Sequence, residues 1–92
     1  MDKIAVIRGY ISRLNNPTRN WRNSNFKQIS YSKWAAKEVL KYVKEHDSIP
    51  VTIAIEEFIR KMDKYSCMNS NTSYMFSVAH DIAVDILDTF IQ

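Results

Sequence analysis

Apolar residues recur every three or four positions in four separate stretches of this 92-residue chain, the spacing that places side chains on one face of an α-helix. The first stretch predicts a helix that Asn15-Asn16-Pro17 brings to an end. The second predicts a helix that opens at Ser30 or Ser32 as its N-cap and runs to about His46. The apolar positions are Ile4, Ile7, Tyr10, Ile11 and Leu14 in the first stretch, and Ala35, Ala36, Val39, Leu40, Tyr42 and Val43 in the second.

The second half of the chain carries the same period twice. Ser48 is a candidate cap for the third helix, and Pro50 suits a first turn, where the N–H that proline lacks would have no partner. The fourth helix follows the polar link 69–73. The two apolar stripes are Val51, Ile55, Phe58, Met62 and Tyr65, then Met75, Val78, Ala79, Ile82, Ile86 and Phe90. We predict one small all-α domain over residues 1–92, a compact bundle of about four helices with a long loop, 15–29, between the first two.

Composition narrows the possible functions. A single glycine cannot supply the phosphate-binding loops of nucleotide enzymes or the tight turns of an all-β domain. Cys67 is the one cysteine, so the chain cannot form an internal disulfide. No apolar run approaches the roughly 20 residues of a membrane span. We therefore expect a cytoplasmic protein that does not bind a membrane.

The formal net charge of +3 conceals a strong asymmetry along the chain. Residues 8–44 carry nine basic residues and one acid, a net charge of +8, whereas residues 45–92 carry three basic residues and eight acids, a net charge of −5. This asymmetry is the most informative feature of the sequence, because it predicts surfaces of opposite sign.

Helical geometry gathers these charges into two stripes. At 100° per residue, the lysines of the second helix fall within an arc of roughly 80° and the aspartates of the fourth within roughly 60°. Both stripes can be solvated faces, or pair with each other within one subunit for little net energy, and we favour solvated faces for most of these side chains. They can also meet a protein partner, or each other across a homodimer, where charge would set orientation and association rate. The candidate partner-binding residues are Lys33, Lys37, Lys41, Lys44, Asp81, Asp85 and Asp88.

A second candidate surface lies in the segment before and within the second helix. It interleaves cations with aromatic side chains, the mixture that meets phosphates and stacks on bases in nucleic-acid complexes. The same aromatics can instead pin a loop onto the bundle while the cations stay in water. The candidate nucleic-acid-binding residues are Arg19, Trp21, Arg22, Phe26, Lys27 and Lys33.

Catalysis is the function class with least support. The pairs His46-Asp47 and His80-Asp81 lack further ligands at metal-binding spacing, so packing or helix-end roles fit them better. Cys67 with His80 as base lacks an oxyanion donor. We predict no catalytic residue, metal or cofactor. The expected function is a small non-enzymatic interaction module that binds a protein partner or itself, and the alternative is a nucleic-acid-binding accessory protein that uses 19–44.

Overall fold

The computed structural model of the chain describes residues 2–15, 26–66 and 73–91. These residues form four α-helices and no strand, and they pack into a compact bundle, which confirms the predicted all-α class. The helices are α1 (Lys3–Leu14), α2 (Phe26–Glu45), α3 (Val51–Ser66) and α4 (Ser73–Ile91). Within this part of the chain, no helix combines the length and apolarity needed to cross a membrane.

Both ends of α1 are held by polar side chains. The Ile4 N–H donates to Asp2 Oδ1 at 3.0 Å, which satisfies one of the free amides of the first turn. At the other end, the backbone N–H and the side-chain Nδ2 of Asn15 both donate to the Ile11 carbonyl at 3.1 Å. The helix therefore ends where the sequence predicts.

The predicted start of α2 is wrong. The helix begins at Phe26, four to six residues before the expected serine caps, so residues 26–29 of the predicted loop are helical. The buried Ser32 hydroxyl donates to the Gln28 carbonyl at 2.7 Å. This bond to the carbonyl four residues back satisfies the hydroxyl inside a helix, which is why a serine that reads as a cap can lie in the helix interior.

A short turn over 46–50 joins α2 to α3. The Ala54 N–H donates to the Pro50 carbonyl at 3.0 Å, so Pro50 stands at the start of α3 as predicted. Ser48 lies in the turn and makes no capping bond to any residue that the structure describes. Lys3 also reaches this turn and pairs with Asp47 at 2.8 Å, which ties the start of α1 to the end of α2.

The core forms around α4, which packs against both α2 and α3, while α1 packs against α2. Small side chains line these contacts and let the helix backbones approach closely. Tyr10 links α1 to α4 through a hydrogen bond of 2.6 Å from its hydroxyl to Asp85 Oδ2. The fully buried residues at the centre are Ile7, Ala35, Ala36, Val39, Val43, Ala54, Ile55, Ala79, Ala83 and Ile86.

Two apolar residues of α3 remain in contact with water. Tyr65, which the sequence places in the apolar stripe, is 38% exposed at the end of the helix. Ile53 is 46% exposed, on the face of α3 opposite the buried Ile55. A single exposed isoleucine is ordinary on a protein surface, so Ile53 does not indicate a second contact surface by itself.

We expect Ile55→Ala to lower the free energy of unfolding by about 2–5 kcal/mol, because the change leaves a cavity in a fully buried site. The matched control on the same helix is Ile53→Ala, which should cost less than about 1 kcal/mol. Urea denaturation followed by circular dichroism measures both. Equal losses for the two variants would contradict the burial described here.

Candidate partner-binding surface

The lysine face of α2 consists of Lys33, Lys37, Lys41 and Lys44. It lies opposite the residues that α2 buries, and its last three side chains are exposed while Lys33 is half-buried. No carboxylate within the described residues lies within 4.0 Å of these ammonium groups. The face therefore presents a row of lysines without ion-pair partners.

The aspartate face of α4 consists of Asp81, Asp85 and Asp88, all exposed. Asp81 and Asp88 lie opposite the residues that α4 buries, whereas Asp85 turns toward α1 and accepts the Tyr10 hydroxyl. Among the described residues, no ion pair joins the lysine face to the aspartate face.

An aromatic groove runs beside the lysine face, between α2 and α3, with α4 at one end. Its volume is about 180 Å³. Lys41 belongs both to the lysine face and to the groove wall. The residues that line the groove are Trp34, Glu38, Lys41, Tyr42 and Glu45 of α2, Phe58, Lys61 and Met62 of α3, and Phe76 of α4.

Tyr42 lines this groove and contacts several of the residues around it. Its ring stacks on His46 at a centroid distance of 4.0 Å and meets the edge of Phe58 at 5.8 Å. The Lys61 ammonium lies 6.0 Å from the ring centroid, and the Tyr42 hydroxyl donates to Glu57 Oε2 at 3.3 Å. Partial burial and then the Glu57 carboxylate raise the pKa of Tyr42 above its ordinary value, because burial disfavours the charged phenolate while the carboxylate accepts the phenol's hydrogen bond and repels the phenolate. Tyr42 thus joins α2 to α3 with a neutral ring.

Further aromatic side chains continue the groove toward the start of α4. Tyr65 packs against Phe76 at 5.4 Å, and Tyr31 packs against Tyr74 at 5.8 Å. Tyr65 and Tyr74 are 38% and 44% exposed. Large aromatic side chains that stay in contact with water beside a groove are typical of surfaces that bind proteins.

The histidine–aspartate pairs of the sequence are separated by the fold. His80 contacts Asp63 of α3 and not its neighbour Asp81, and His46 Nδ1 lies 2.9 Å from the Tyr42 carbonyl while Asp47 pairs with Lys3. Among the residues described, no three His, Cys, Asp or Glu side chains are grouped so that they could hold a metal ion. Cys67 lies outside the described residues.

The nucleic-acid candidates fall mostly where the structure gives no description. Arg19, Trp21 and Arg22 lie outside the described residues, as does the side chain of Phe26. Lys27 is exposed on the first turn of α2, and Lys33 follows it on the lysine face. The described part of this candidate surface therefore consists of lysines alone.

Sequence reasoning missed the groove. On α2 its residues follow helical spacing from Trp34 to Glu45, so the stripe itself is visible in the sequence. Nothing in that spacing says whether the stripe faces a neighbouring helix, water or a cleft. That depends on how far α3 diverges from α2, which tertiary packing decides.

We expect Glu57→Gln to lower the pKa of Tyr42 toward its ordinary value of 10.0 while burial keeps part of the increase. Because the pKa of Tyr42 is higher in the folded chain than in the unfolded chain, its contribution to stability is fully present below the unfolded pKa. That contribution is lost as the pH rises through the folded pKa. Ring carbon NMR of Tyr42 across an alkaline titration measures the shift. The neighbouring Glu56→Gln is the matched control and should leave the titration of Tyr42 unchanged.

Comparison of the chain with protein-family models, with curated proteins and with solved structures finds no match. What the domain does has to follow from its own surfaces. Those surfaces are the lysine face, the aspartate face, and the aromatic groove that shares Lys41 with the lysine face.

Proposed function

We propose that this domain is a non-enzymatic interaction module that binds an acidic surface of a protein partner through the lysine face of α2. The observation that carries the proposal is that four lysines share one face of the helix without an ion pair among the described residues. Such a row raises the association rate for a partner of opposite charge and selects its orientation. The lack of internal neutralisation leaves this charge available.

One feature favours a protein over a nucleic acid as the partner. Two acids, Glu38 and Glu45, border the lysine face on the same helix and would repel a continuous phosphate backbone. A protein surface can place its acids over the lysines and avoid those two carboxylates.

A second copy of this chain is one partner that meets these requirements. Asp81 and Asp88 are seven residues apart on α4, and Lys37 and Lys44 are seven residues apart on α2. Both pairs therefore span two helical turns, roughly 10 Å, on outward faces. Because such a contact joins two different surfaces, the lysine face of one copy and the aspartate face of the next, it would run head to tail.

We expect the double variant Lys37→Glu/Lys41→Glu to bind a serine-rich peptide with a glutamate at every fourth position about tenfold more weakly than the unaltered chain, since two favourable charge contacts become unfavourable. The control Lys64→Glu changes an exposed lysine of α3 outside the lysine face and should bind as the unaltered chain does. Fluorescence anisotropy at low salt measures both. If a DNA duplex binds tightly and this peptide does not bind, the domain recognises nucleic acid instead.

Sedimentation velocity tests the second copy as partner. Lys37→Glu/Lys41→Glu and Asp81→Lys/Asp88→Lys should each be monomeric alone, because each variant has lost one of the two faces. An equal mixture should form one-to-one dimers, since one unaltered face remains on each chain. Asp85 stays unchanged because it accepts the Tyr10 hydroxyl. A mixture that stays monomeric at high concentration excludes self-association and leaves another protein as the partner.

A further inference from the structure

The size of the aromatic groove limits what can enter it. Sites for metabolites and cofactors enclose about 300–1,000 Å³, whereas this groove has a volume of about 180 Å³. A space of that size suits one or two apolar side chains. Four aromatic residues and a methionine line it, as they line the centres of protein interfaces, and two lysines and two glutamates complete its walls. The groove therefore fits side chains of a protein and not a small-molecule substrate.

The charges around the groove say how such a protein segment must be built. Lys41 stands on the border that the groove shares with the lysine face, so one segment can reach both. Glu38 and Glu45 line the same wall and would repel carboxylates of the bound segment. The carboxylates of the segment must therefore lie over the lysine face, and its apolar side chains must face Trp34 and Phe76. A helix with adjacent apolar and acidic faces has this arrangement.

We infer that the groove between α2 and α3 binds the apolar side chains of an acidic amphipathic helix of a partner protein, while the carboxylates of that helix lie over the lysine face. The inference rests on the proposed function and adds to it the conformation and the side chains of the partner. Trp34 and Phe76 form the walls that the apolar side chains contact, and Lys37 and Lys41 meet the carboxylates.

Three synthetic helical peptides of about 18 residues test the inference. The first has a leucine face beside a glutamate face, the second replaces its leucines by alanine, and the third replaces its glutamates by lysine. The binding protein is the full chain with Trp21→Phe, so that Trp34 is the remaining one of its two tryptophans. Anisotropy of labelled peptide measures affinity, and Trp34 emission reports whether the groove is filled.

We expect the leucine–glutamate peptide to bind about tenfold more tightly than the alanine–glutamate peptide and to shift Trp34 emission to the blue, because only its leucines can bury the indole. Equal binding of these two peptides without an emission shift overturns the inference and leaves the proposed function intact. If the lysine peptide binds as tightly as the leucine–glutamate peptide, the proposal of an acidic partner is wrong. The same conclusion follows if neither glutamate peptide binds.

Two phenylalanines of α4 provide matched variants. Phe76 lines the groove, whereas Phe90 is equally half-buried against the core but does not line it. Phe76→Ala should lower the affinity for the leucine–glutamate peptide about tenfold, and Phe90→Ala should leave that affinity unchanged. Circular dichroism checks that both variants are folded. Equal affinities for the two variants would show that the peptide binds elsewhere.

Discussion

The packing of α4 against both α2 and α3 is the constraint on which the rest of this structure depends. The contact surfaces carry fully buried alanines at Ala35, Ala36, Ala79 and Ala83, and small side chains let helix backbones approach closely. In this packing α4 buries Ala79 and Ala83, while Asp81 and Asp88 on its other face stay exposed. Within the described part of the chain, no ion pair joins these aspartates to the lysine face.

The same packing creates the aromatic groove. α2 and α3 are joined by the hydrogen bond from Tyr42 to Glu57, and each also packs against α4. Trp34 of α2 and Phe76 of α4 pack against the core on one side and line the groove on the other. Charge on the lysine face would govern how fast and in which orientation a partner arrives, and desolvation of the aromatic groove would supply most of the affinity.

The sequence predicts the helices well where the physical signal is local. α1 ends at Asn15, as expected, because the Asn15 side chain caps it. α3 starts after Pro50, as expected, because proline has no N–H to leave without a partner. The predicted start of α2 is wrong. Ser32 donates to the carbonyl of Gln28 inside the helix, and the sequence does not distinguish a serine in that role from one that caps a helix.

The sequence alone determined that the chain is helical and which faces of its helices are apolar. It also determined that the lysines and the aspartates form two stripes. Each of these features depends on the 100° step between neighbouring residues on a helix. Only the tertiary structure decided that no ion pair joins the two stripes among the described residues, that Asp85 accepts the Tyr10 hydroxyl while Asp81 and Asp88 face water, and that Trp34 borders a groove. These outcomes depend on the distances and directions between helices, which arise when all four pack together and which no single helix encodes.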